Sequence, residues 1–265
     1  MIAAIPSIPS VPNLRDLGGA ATAAGTVREG RLYRSVQLAN LADADVAAFE
    51  RLGVVTVVDL RTAGERHGAP DRVVGGAALM TLDVLADSPT AAAADVPALL
   101  ENPGPALAEL SPAKAVELMS DAYRDMVRLD SAIASYREFV RLLAAPTQQP
   151  LLFHCTTGKD RTGWAAAIVY SLLGADRAVI DADYLRTNDV LLPALEPLVE
   201  KAVASGADRD LVLAVLGVRP EYLDAAFAEA AARYGSMEAY LSEGLGADEA
   251  TRAAVAAALV APAGR

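Results

Sequence analysis

Leu151-Leu152-Phe153-His154-Cys155-Thr156-Thr157-Gly158-Lys159-Asp160-Arg161-Thr162-Gly163 is the stretch from which the rest of the chain is read. The apolar run predicts a buried strand over Leu151 to His154. Apolar positions Trp164, Ile168, Val169 and Leu172 predict a helix from about Thr162 to Leu173. The loop between them suits an oxyanion. Amides at a helix start converge on negative charge, with the helix dipole adding attraction. Gly158 can take the positive φ of a concave turn. Arg161 offers a planar fork for two phosphoryl oxygens. Cys155 stands at a helix start and near cations, the surroundings that turn a thiol into a nucleophilic thiolate. A nucleotide-type phosphate loop is excluded, because Phe153 stands where that motif needs Gly and Asp160 where it needs Ser or Thr.

Outward from this stretch, strands are predicted at Arg31 to Ser35, Val54 to Leu60 and Ala77 to Leu82, the last followed by Asp83. A helix is predicted at Asp43 to Leu52, with Gly53 just past its end. The alternation signals an α/β fold. From Pro112 on the pattern is helical, over Ala113 to Leu129, Ser131 to Ala144, Asp176 to Thr187 and Pro220 to Tyr234. Residues 84–112, broken by Pro97, Pro103 and Pro105, read as an insertion, either a lid or a spacer. With no repeat and no linker, one domain over residues 1–265 is expected.

Of the 265 residues 53% are hydrophobic but only 5% aromatic, so alanine-rich helices carry much of the apolar content. A net charge of −11 argues against a nucleic-acid partner, which is gripped through Lys and Arg. A single cysteine excludes an internal disulfide framework and any Cys-rich zinc site. Neither a signal peptide nor an integral membrane segment is legible, so a cytoplasmic protein is expected, with non-classical secretion left open.

The loop resembles that of the cysteine-dependent tyrosine phosphatases, and within them the bacterial family marked by HCxxGKDRTG. The likeness extends to Asn13-Leu14-Arg15-Asp16-Leu17-Gly18-Gly19, Gly30-Arg31-Leu32-Tyr33-Arg34-Ser35, Asp59-Leu60-Arg61 and Ala182-Asp183-Tyr184-Leu185-Arg186-Thr187-Asn188. It implies a central, mostly parallel sheet flanked by helices, a helical lid at 84–112 and a helical C-terminal half. It also implies hydrolysis of phosphomonoesters without metal or cofactor. Substrates would be phosphotyrosine, with dual specificity for phosphoserine and phosphothreonine, or alternatively phosphoinositides or inositol phosphates.

In this reading Cys155 attacks, Arg161 clamps, and Thr162 bonds the sulfur as it leaves. His154 orients the loop backbone, and Thr156, Thr157, Gly158 and Lys159 cradle the substrate. Lys159 suits a polyanionic headgroup or is an exposed lysine without a role. Two aspartates compete as general acid, Asp160 in the loop and Asp83 before the insertion, with Asp160 preferred because the motif alone brings it near phosphate. Asn188 is expected at the pocket rim, and Tyr184 there or in helix packing. Asp59, Arg61, Arg15 and Asp16 read as structural ties. A phosphate-binding adaptor without turnover would not need the nucleophile, and a rhodanese-like sulfur transferase would not need Lys159, Arg161 and Thr162.

Overall fold

The structure is a computed structural model and describes residues 8–88 and 110–261. Most of the expected lid, residues 89–109, lies outside them.

Among the described residues seven strands form, β1 Arg15–Asp16, β2 Ala21–Thr22, β3 Gly25–Thr26, β4 Leu32–Ser35, β5 Thr56–Asp59, β6 Ala78–Thr81 and β7 Leu151–His154. The main sheet has the order β1-β4-β7-β5-β6. All its pairings are parallel except that of β1 with β4. Strands β4, β5 and β7 are buried along their whole length, the expected state of a parallel sheet covered on both faces. Their side chains sort with period two. Leu32, Val58, Leu151 and Phe153 enter the larger core, while Tyr33, Val57 and Leu152 enter a second core with Phe49 on the opposite face.

Helices α1 Asp43–Glu50 and α2 Ala63–Gly68 link the early strands. Helices α3 Pro112–Arg128 and α4 Asp130–Ala144 precede β7, and α5 Asp160–Leu172 follows it. The C-terminal part holds α6 Arg177–Ala204, α7 Arg209–Leu216, α8 Pro220–Tyr234 and α9 Glu249–Leu259. Helix α5 is buried from Thr162 to Tyr170, so it is the central helix around which the others pack. The mostly parallel sheet, the flanking helices and the helical C-terminal half agree with expectation. No helix among the described residues is long and apolar enough to cross a membrane.

Helix α6 departs from expectation by continuing past Thr187 through Pro193 and Pro197. Each proline removes one hydrogen bond and crowds the preceding turn. The helix persists because Val199 and Ala202 bury against Leu211, Val212 and Leu216 of α7 in a third apolar cluster.

In register, Ser35, His154 and Asp59 end β4, β7 and β5 side by side. Ligands of parallel sheets bind at this carboxyl edge. Cys155 is the next residue.

Candidate active site

The loop is fastened to the sheet before any ligand arrives. Gly158 has φ of +65°, and a Cβ there would sit 2.2 Å from the Ser35 carbonyl oxygen, so only glycine fits. Its own carbonyl accepts from Asn13 Nδ2 and Arg34 Nη2, each at 2.9 Å. Arg34 is fully buried and holds Asp183 Oδ2 at 2.6 Å, while Arg15 Nε holds Asp183 Oδ1 at 2.8 Å. Burial alone would raise the Asp183 carboxyl, but the Arg15 and Arg34 guanidinium groups carry it down to about 2. Arg15 also bonds Asn13 Oδ1, and Asp16 accepts from the Gly18 and Gly30 amides. Three stretches singled out in the sequence thus meet beneath the loop as a brace.

A second brace lies under Cys155. His154 Nδ1 is 3.0 Å from the Cys155 carbonyl oxygen. Its Nε2 lies 3.0 Å from Asp71 Oδ2, which Arg61 Nη2 approaches to 2.8 Å. Arg61 also grips Asp59 through Nε and Nη2. Burial raises the Asp71 carboxyl, but His154 and Arg61 bring it to about 2. Asp59, Asp71 and His154 converge as metal ligands would. The Arg61 guanidinium bridges both carboxylates, so a fixed cation already stands there.

Arg161 meets a residue that sequence reading missed. Glu65 on α2 takes Arg161 Nη1 on Oε2 at 2.6 Å and Nη2 on Oε1 at 2.7 Å. Glu65 Oε1 also accepts from the Thr156 hydroxyl. The same carboxylate closes the helix start, with the Thr62 amide on Oε2 at 2.8 Å and the Glu65 amide on Thr62 Oγ1 at 3.3 Å. Thr62-Ala63-Gly64-Glu65 is a capping-box signature, which could have revealed α2 from sequence. Nothing local could have revealed its partner 96 positions away. Burial raises the Glu65 carboxyl, but Arg161 and Thr156 draw it down to about 2, and Arg161 is pushed above its ordinary value in return. Glu65 takes the end-on edge of the guanidinium. On the side-on edge Nη2 also reaches the Thr156 hydroxyl oxygen at 3.5 Å, and Nε makes no hydrogen bond among the described residues.

Other expected residues fall differently. The Lys159 side chain is neither exposed nor turned to a headgroup. It is fully buried, with Nζ 2.9 Å from Asp160 Oδ1 and 2.8 Å from Oδ2. Asp160 Oδ1 further accepts from the Tyr123 hydroxyl at 2.9 Å, leaving the side chain 23% exposed, enough to be reached from outside. Asp83 accepts from the Ala63 amide at 2.9 Å and the Leu85 amide at 3.2 Å, so it ties α2 to the turn after β6. Thr162 does not bond the sulfur in this structure, since its hydroxyl oxygen is buried without a hydrogen-bond partner. Asn188 is not at a free rim either. Its amide spends both ends on the Val218 backbone, each at 2.8 Å, locking α6 to the start of α8.

A thiol at the carboxyl edge of a parallel sheet, a glycine-shaped loop and a preset arginine at a helix start define a cysteine-dependent phosphatase. The model of the tyrosine phosphatase family matches residues 6–261, and the chain belongs to that family. It is 37% identical over 254 residues to the triple specificity protein phosphatase PtpB of Mycobacterium tuberculosis, covering 86% of this chain and 90% of that one. It is 35% identical over 249 residues to a Cupriavidus necator protein with a provisional tyrosine-protein phosphatase assignment, covering 89% and 82% respectively. The solved structure of P. aeruginosa TpbA overlaps 84% of this chain and 98% of that chain at 18% identity, with a TM-score of 0.30.

Proposed function

We propose that the chain hydrolyses phosphotyrosyl and phosphoseryl or phosphothreonyl proteins through a phosphocysteine. The Cys155 thiolate attacks phosphorus, an S–P bond forms, and the P–O bond breaks as the leaving oxygen takes a proton from Asp160. Water then attacks phosphorus and gives its proton to the Asp160 carboxylate. The S–P bond breaks, returning the thiolate and releasing inorganic phosphate. Loop amides and Arg161 neutralise the charge of the loosely bonded phosphoryl group, the dominant contribution in such reactions.

The observation that carries this reading is the Glu65–Arg161 pair, which fixes the end-on edge of the guanidinium and leaves the side-on fork for two phosphoryl oxygens. Asp160 is favoured over Asp83 because it stands in the phosphate loop beside Arg161, whereas Asp83 ties α2 to the turn after β6 through the Ala63 and Leu85 amides. Protein substrates of several kinds are favoured by the likeness to a relative named for triple specificity. The phosphoinositide alternative loses its main sequence support, because Lys159 is committed to Asp160.

The test is turnover of phosphotyrosyl and phosphoseryl peptides and of phosphoinositide micelles, with Cys155→Ser as the control. Hydrolysis of both peptides, abolished in Cys155→Ser, is expected. Faster turnover of the lipid than of either peptide, or activity surviving in Cys155→Ser, would overturn the reading.

A further inference from the structure

Three hydroxyl and carboxyl groups are strung in line behind the loop. The Tyr184 hydroxyl donates to the Tyr123 hydroxyl at 2.7 Å, and Tyr123 donates to Asp160 Oδ1 at 2.9 Å. A phenol has one hydrogen to give, so Tyr184 donating to Tyr123 turns the Tyr123 hydrogen toward the carboxylate. Both rings are buried, and burial with the nearby Asp160 charge pushes each hydroxyl well above the ordinary tyrosine range, which keeps both protonated as donors.

The arrangement is built into the fold. Gly163 lies inside α5, where glycine is unfavourable by roughly 1 kcal/mol relative to alanine. A Cβ there would stand 3.1 Å from Cδ2 and Cε2 of the Tyr184 ring, so the last glycine of the loop motif makes room for that tyrosine. Tyr123 is edge-on to Tyr184 with centroids 6.2 Å apart, and Tyr222 packs on its other side at 5.8 Å. The three rings come from α3, α6 and α8.

Oδ1 of Asp160 accepts two hydrogen bonds, from Tyr123 and Lys159, whereas Oδ2 only faces the Lys159 ammonium, 2.8 Å away. An oxygen that accepts two hydrogen bonds is a poor seat for a proton. We propose that Tyr123 and Tyr184 are positioning residues for the general acid, fixing the Asp160 carboxyl so that its transferable proton rides on Oδ2. This rests on Asp160 being the acid. In the second half of the cycle the same oxygen collects the proton of the attacking water. Neither tyrosine touches substrate in this scheme.

Tyr123→Phe and Tyr184→Phe each delete one hydroxyl and keep the ring. The readout is kcat/KM, which reports the steps up to formation of the phosphocysteine, on aryl phosphates whose leaving phenols span weak to strong acids, since only poor leaving groups need the proton. Tyr123→Phe should lose roughly tenfold on phenyl phosphate and little on dinitrophenyl phosphate, a fraction of the 10²–10⁴-fold that general acids supply. Tyr184→Phe should show a smaller loss of the same selectivity, and the double variant no more than Tyr123→Phe alone. Equal losses on both substrates, or none, overturn the proposal. Asp160→Asn measured in the same series separates the two failures. If Asp160→Asn shows no leaving-group selectivity, the acid assignment falls and the tyrosine role with it. If it does and the tyrosine variants do not, only the tyrosine role falls.

Discussion

Replacing Glu65 by glutamine tests whether Arg161 is set by a charge or merely by contact. Gln at the third helical position still closes the capping box and can accept one hydrogen bond from Arg161, but it cannot answer both guanidinium hydrogens as an anion. The Glu65 carboxyl sits at about 2 in place of 4.5. At about 1.4 kcal/mol per pH unit, that gap sets a ceiling of about 3 kcal/mol on the stabilisation. The pair is partly exposed, 12% for Arg161 and 16% for Glu65, and Gln keeps some of the bonds. A loss of about 2 kcal/mol is therefore expected near neutrality, or about 4–6 °C in Tm. Because the folded value is depressed, the contribution is complete above 4.5 and disappears as pH falls toward about 2. Urea unfolding of wild type and Glu65→Gln at about pH 6 and about pH 3.5 measures this directly, and the stability gap should shrink on acidification. On the kinetic side kcat for an aryl phosphate should fall about 10²-fold, the scale of losing one preset oxyanion donor. A gap that stays constant with pH, with kcat unchanged, would refute both the charge argument and the role of the pair.

Three further outcomes are expected. Gly158→Ala should abolish vanadate binding and turnover, because its Cβ would collide with the Ser35 carbonyl at 2.2 Å; titration calorimetry with vanadate reads this. In pH–rate profiles, Asp160→Asn should remove the alkaline limb, whereas Asp83→Asn, which alters an α2 tie, should keep the limb and lower Tm by a few degrees. Asp183→Asn should destabilise the protein by about 2 kcal/mol at neutral pH, given a carboxyl at about 2 against 3.8, with the difference fading below 3.8 in pH-dependent melts.

The elements legible in the sequence were those whose cause is local. Leu151–His154 and Pro220–Tyr234 match their expected bounds, since an apolar run in one case and a proline at the first helical position in the other mark the ends. The loop was legible for the same reason, as its chemistry lies within consecutive residues. What surrounds it was not. Glu65 reaches Arg161 across 96 positions and Tyr123 reaches Asp160 across 37, contacts that only tertiary packing creates. Lys159 looked available because an ammonium is usually solvated, yet here an adjacent carboxylate compensates its burial. Asn188 was expected at the pocket rim, but its partner is the Val218 backbone 30 residues on.

The position of β7 has a consequence for synthesis. It pairs with β4 on one side and β5 on the other, yet follows both in the chain. Until Leu151–His154 leaves the ribosome, those two strands each present an open edge with unpaired amides and carbonyls, the kind of surface that recruits other chains. The segment that leads into the nucleophile is thus also the one that seals the sheet, whereas the brace beneath its loop is completed only when Asp183 on α6 follows later in the chain.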